Sequence, residues 1–141
     1  MEKMETFGDR VIIDTDVLVD VLRGSEKVTK FVAGFEREGV ALATTVINAF
    51  ELYYGAYKSK KKHQNLIATK KLLERMVVLK MTLKSAEEAG KIHVELESKG
   101  TPIGIRDVMI GAIAISKGCP LVTRNTTHLQ KIRGLNLIAV P

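Results

Sequence analysis

The sequence predicts an α/β fold, a three-layer α/β/α sandwich around a mostly parallel central sheet. Three observations predict it. Short apolar runs alternate with segments of helical spacing, and such alternation links parallel strands through crossover helices. The runs are apolar throughout, as strands covered on both faces require. The chain has 141 residues, enough for one domain, 1–141, with a substantial core and too few for two.

The elements follow in order. "VIID" (11–14) reads as a buried strand. In "TDVLVDVLRG", Val17, Leu18, Val21 and Leu22 share a helix face, and Gly24 ends it. Residues 25–39 form a second helix with Ser25 as N-cap and Gly39 as stop. "VALATT" (40–45) is a strand, and "VINAFELYYGAY" (46–57) is a helix that is apolar nearly all round. A helix over 63–76, a strand over 77–81 and an amphipathic helix over 82–100 come next. After the turn "GTPIG", residues 106–118 read as a buried helix, 120–125 as a strand and, past a helical turn, 136–140 as the last strand.

Composition excludes several classes. Hydrophobic residues make up 45% and charged residues 27%, which is the globular average. The single cysteine, Cys119, rules out an internal disulfide framework and suits a reducing cytoplasm, and its apolar neighbourhood suits a buried thiol. "MEKMETFGDR" carries acids and no apolar stretch, unlike a signal peptide. No run reaches the length of a membrane span. The net charge of +6 is uneven: Lys58–Lys84 holds nine Lys and Arg against one acid, Glu74, so that segment carries +8 and the rest −2. A local basic patch is what a polyanion surface needs, although solvated helix faces such as "KSKKK" (58–62) give the same pattern.

Acids are scarce where they matter most. Between Gly39 and Leu73 the only one is Glu51, inside an apolar helix, and from Ser98 onward the only one is Asp107, at the start of another. A carboxylate there loses solvation and must pair, change protonation or bind a metal. Asp14 ends the first strand, Thr123-Arg124-Asn125 ends the fourth, and Glu51 lies about one and a half turns past the second. In α/β folds ligands bind outside the carboxyl ends of the strands, so Asp14, Glu51, Asp107 and Asn125 are expected to converge. Carboxylates without cysteine or histidine partners favour Mg²⁺ or Mn²⁺ over zinc. Such ions activate water and stabilise the leaving oxygen of a phosphodiester. Taken singly, Asp14 and Asp107 could each be helix caps, Asp16 is read as the cap of the first helix and Asp20 as solvent-facing. His63, His93 and His128 lack metal-ligand spacing.

Four motifs in order resemble a PIN domain, and most the toxin ribonucleases of VapBC toxin–antitoxin systems. "VIIDTDVLVDVLRG" resembles the opening strand, giving Asp14 as the first catalytic acid. "TTVINAFELYYGA" resembles the second motif with Glu51, and "GTPIGIRDVMIGAIAISKG" the third with Asp107. "PLVTRNTTHLQKI" resembles the fourth, where Thr123 and Asn125 fill the hydroxyl and the acidic or amide slots. The resemblance implies Mg²⁺- or Mn²⁺-dependent RNA cleavage, with Asp14, Glu51 and Asp107 as metal ligands. It also implies homodimerisation and inhibition by a small VapB-like antitoxin, for which Val28, Phe31, Val32, Phe35, Leu72 and Leu73 offer apolar surface or simply core. Asn125 departs from the aspartate many members carry, and a neutral amide is a weaker ligand, which bears on whether one metal binds or two.

Two other readings stand beside this one. "VIIDTDVLV" also fits the opening of haloacid-dehalogenase-type phosphatases, with Asp14 as nucleophile and Asp16 as general acid, but no acid follows Asp107 to complete that site. A non-catalytic RNA-binding or adaptor PIN domain would tolerate Asn125, but it gains nothing from three acids beside RNA phosphates.

Overall fold

The computed structural model describes residues 9–141. Among them, five strands form one sheet in the order β3-β2-β1-β4-β5 with every pairing parallel. The strands are β1 (Arg10–Ile13), β2 (Ala41–Thr45), β3 (Val77–Leu79), β4 (Leu121–Thr123) and β5 (Leu137–Ala139). The helices are α1 (Thr15–Leu22), α2 (Glu26–Arg37), α3 (Val46–Lys58), α4 (Lys62–Glu74), α5 (Leu83–Ser98), α6 (Ile105–Lys117) and the single turn α7 (Thr126–Leu129).

Two cores account for the three layers. Ile12, Ala43 and Leu121 point to one face of the sheet and meet Ala89, Ile92 and Leu96 of α5 and Val108, Ile110 and Ile113 of α6. Val11, Ile13 and Val122 point to the other and meet Val17 and Leu18 of α1, Val28, Val32 and Phe35 of α2 and Leu52 of α3. The two-residue period of the strands separates the sets. Val28, Val32 and Phe35, raised as docking surface, are therefore spent on the core, with Phe31, Leu72 and Leu73 packed against them.

Helix ends follow their sequence signals. The Ser25 hydroxyl accepts from the Val28 N–H at 3.3 Å. Thr45 and Asn48 form a reciprocal capping box at the start of α3, as Thr82 and Ser85 do at α5. Gly24 and Gly39 follow α1 and α2 with φ of 83° and 80°, values that disfavour any residue with a Cβ. The fourth strand is shorter than expected. Arg124 N–H turns aside to the Asp16 carboxylate and Asn125 N–H to the Thr123 hydroxyl, so neither continues the ladder. The acid-bearing residues 1–8 of the N-terminal reading lie outside the described residues. Among the described residues no helix is long and apolar enough to cross a membrane.

Candidate active site

β1 lies at the centre of the sheet, with β2 on one side and β4 on the other, so three strands deliver their last residues to one edge. The chain order turns outward in both directions from β1, which is where such sheets build sites. Asp14 follows β1 and is 6% exposed. Its backbone caps α1 and its Oδ1 accepts the Thr15 N–H at 2.9 Å. Asp14, not Asp16, is thus the N-cap, because α1 begins at Thr15, two residues before the start that a cap at Asp16 requires.

The side chains at this edge form one connected chain of hydrogen bonds. Asn48, fully buried on the first turn of α3, donates from Nδ2 to Asp14 Oδ1 and to Thr15 Oγ1, both at 2.9 Å. Its Oδ1 accepts from Thr45 N–H at 3.1 Å and from the Thr45 hydroxyl at 2.7 Å, which fixes the amide's orientation. The Thr15 hydroxyl donates onward to Glu51 Oε1 at 2.6 Å. On the other side the Thr123 hydroxyl donates to Asp14 Oδ2 at 2.7 Å and accepts the Asn125 N–H at 3.0 Å. Asn125 Nδ2 reaches Asp107 Oδ2 at 3.4 Å, and its Oδ1 lies 3.0 Å from His128 Nδ1. All four expected site residues therefore lie on one network, with Asp14 at its centre.

Charge is poorly compensated there. Burial pushes the Asp14 carboxyl up to about 6 against the hydrogen bonds from Thr123 and Thr15, and Asp16 and Asp107 add repulsion. Burial likewise raises Asp107, against His128 and Arg106, and raises Asp16. Glu51 instead has a partner: Arg106 Nε lies 3.1 Å from its Oε2. Asp20 is not simply solvent-facing, since Arg124 Nε donates to it at 2.8 Å. Asp16 accepts the Arg124 N–H through Oδ2, while its buried Oδ1 has no hydrogen-bond partner among the described residues.

These residues suit a hard cation in kind: carboxylate, hydroxyl and amide oxygens, mutual repulsion among Asp14, Asp16 and Asp107, and an orphaned carboxylate oxygen. They do not form a finished cage. Among the described residues no three acid, histidine or cysteine side chains already converge as metal ligands. A cavity of about 220 Å³, lined by Glu51, Gly104, Ile105, Arg106 and Asp107, separates the second and third acids. Asn48 and Thr15 were absent from the expected set. The available signal was the T-x-x-N capping box, which buries an amide one helical turn before Glu51.

Comparison with known proteins places the fold in a family. The chain is 29% identical over 126 residues to Ribonuclease VapC2 of Haemophilus influenzae, covering 89% of this chain and 94% of that one. It is 37% identical over 91 residues to the tRNA(fMet)-specific endonuclease VapC of Salmonella typhimurium, covering 64% and 69%. The solved structure of VapBC2 from Rickettsia felis bound to a DNA fragment from its promoter superposes with a TM-score of 0.86 at 28% identity, over 92% of this chain and 98% of that one. The PIN domain model matches residues 11–135, nearly the whole described structure, and the chain belongs to the PIN domain family.

Proposed function

We propose that this chain is a divalent-metal-dependent endoribonuclease, the toxin of a type II toxin–antitoxin pair, acting as one nuclease domain in the cytoplasm. The observation that carries the reading is the hydrogen-bond chain, buried at Asp14 and partly buried at its ends, that joins Glu51, Asp14, Asn125 and Asp107 at the carboxyl edge of the sheet. Asp14 and Asp107 would hold a Mg²⁺ or Mn²⁺ ion, with Glu51 joining them. Such an ion supplies an activated water and neutralises charge on the phosphodiester.

The protein's own part is positioning. Thr123 and Asn48 grip the two oxygens of Asp14 and leave it no rotamer freedom. Asn125 orients Asp107 without adding a second charge. Burial keeps water from screening Asp14, and Glu51 and Asp107 are partly covered, so the site attracts a cation. Lys60, Lys61 and Lys62 are exposed at the α3–α4 corner and suit the RNA backbone. By likeness to relatives solved as VapBC complexes, a small antitoxin is the expected protein partner; a homodimer is the assembly that the family resemblance implies. The phosphatase reading is set aside, because Asp16 is held by Arg124 N–H and the chain is a PIN domain.

The test is RNA cleavage by purified protein with Mn²⁺ or Mg²⁺ and with excess EDTA. Cleavage with metal, none with EDTA and loss of at least about a hundredfold in Asp14→Asn are expected, the size of removing a group that acts at the reacting centre. Equal cleavage in EDTA would sink the metal mechanism.

A further inference from the structure

The ion pair between Arg106 and Glu51 has a feature that a purely structural bridge lacks. Arg106 Nε lies 3.1 Å from Glu51 Oε2, and the terminal guanidinium nitrogens make no protein hydrogen bond among the described residues. The side chain is half exposed, whereas that of Glu51 is mostly covered and is fixed on its other oxygen by Thr15. The guanidinium carbon lies 5.8 Å from the centre of the Phe50 ring, itself 53% exposed. Arg106 also lines the cavity between Glu51 and Asp107. A planar fork with unused donors, resting on an aromatic face beside two acids, is chemically matched to a phosphate.

We propose that Arg106 is a transferable guanidinium: it neutralises Glu51 while the site lacks a cation, and it moves to a phosphate of the RNA when a divalent cation takes over Glu51. The proposal rests on the ribonuclease reading and adds to it a phosphate-positioning residue. Three features favour exchange over a fixed bridge. The arginine is exposed, so leaving Glu51 costs it little. A doubly charged ion outcompetes a single charge for a carboxylate, and a guanidinium left beside that ion would be repelled. The Phe50 face, 5.8 Å from the guanidinium carbon, gives the arginine a contact that does not depend on Glu51.

Two measurements with opposite expected signs test it. The first is Mn²⁺ affinity of the RNA-free protein, read from the electron paramagnetic resonance of free Mn²⁺. Arg106→Gln removes the competing cation and should bind Mn²⁺ at least about threefold tighter, while Arg106→Lys, which keeps the charge, stays within about twofold of wild type. The second is kcat/KM on RNA at saturating Mn²⁺, which should fall about tenfold or more in both variants because neither keeps the fork. A merely structural arginine predicts the reverse for the first measurement, since a loosened Glu51 would bind Mn²⁺ more weakly. Unchanged or weaker Mn²⁺ binding in Arg106→Gln overturns the proposal, and so does tighter binding with undiminished kcat/KM. Wild-type protein that shows no Mn²⁺-stimulated cleavage overturns the ribonuclease reading and this proposal together. Mn²⁺-dependent wild-type cleavage with unaltered Arg106→Gln binding overturns this proposal alone.

Discussion

Asp14 accepts hydrogen bonds from Thr15, Asn48 and Thr123, and its neighbours at the sheet edge include two more acids that repel it. Its carboxyl is pushed up to about 6, mainly by burial, from an ordinary value of 3.8. In metal-free protein the folded state therefore holds this proton more tightly than the unfolded chain does. Stability from this group is full below about pH 4, falls as pH rises towards 6 and is lost above, at a cost on the order of 3 kcal/mol. Asp14→Asn keeps an acceptor for Thr15 and Asn48 and removes the charge. The variant should melt several degrees above wild type at pH 7.5 in EDTA, with the difference vanishing near pH 4, as thermal melts across pH would show. Added Mn²⁺ should raise the wild-type melting temperature and leave the variant's unmoved. A variant less stable than wild type at pH 7.5 would show that the buried charge is compensated after all. Asn125 carries the complementary prediction. Its amide contacts Asp107 at 3.4 Å. Asn125→Asp places a second carboxylate there and should tighten Mn²⁺ binding while lowering metal-free stability by about 1–3 kcal/mol, the cost of an uncompensated charge. Titration calorimetry and melts in EDTA measure the two effects.

At the scale of elements, the end of β4 is held to the start of α1 by the Thr123 hydroxyl on Asp14 and, one residue further, by Arg124 N–H donating to Asp16 Oδ2 at 3.1 Å, supported by Arg124 Nε to Asp20. Asp16→Asn keeps an acceptor and drops a charge that repels Asp14 and Asp107, so stability and cleavage should change little. Asp16→Ala leaves the Arg124 N–H unmatched and should cost about 1–3 kcal/mol and loosen the Thr123–Asn125 segment. Hydrogen exchange at Arg124 and Asn125 reads this directly, and equal protection in both variants would rule the tie unimportant. The elements were legible in sequence because their signals are local: β-branched runs, Ser25 before α2, Gly24 and Gly39 after helices. Asp14, Glu51 and Asp107 were legible because an acid in apolar surroundings is conspicuous. Asn48 was not, since a buried amide stands out only when its partners are known, and those lie 34 and 33 residues away in the chain. The role of Asp16 was misread for a related reason. Capping preference alone cannot choose between two aspartates two residues apart, and the choice is made by where β1 releases the chain.

For the molecule as a whole, the question is how a polyanion reaches acids that would repel it. We propose that the basic segment answers it by position. Lys58 ends α3, the helix that carries Glu51, seven residues or about 10 Å further along, Lys60 and Lys61 follow at the corner, and Lys62 opens α4. All four are exposed, and Lys58 is partly committed, resting 4.8 Å from the Tyr54 ring centre and donating to its hydroxyl at 3.3 Å. Contacts from such lysines go to phosphates and carry no direct sequence information. Replacing Lys58, Lys60, Lys61 and Lys62 by Gln should weaken RNA binding to a similar degree for every sequence. Each lost phosphate contact should lower the slope of log affinity against log salt by about 0.7, the single-strand value. The cleavage site and the rate at saturating RNA should survive, because the acids, their hydrogen bonds and Arg106 are untouched. Anisotropy titrations at several salt concentrations, alongside single-turnover cleavage, separate the effects. An unchanged salt slope would make the lysines a solvated face and send the RNA in along Arg106 and Arg124, the exposed cations beside Asp107 and Asn125.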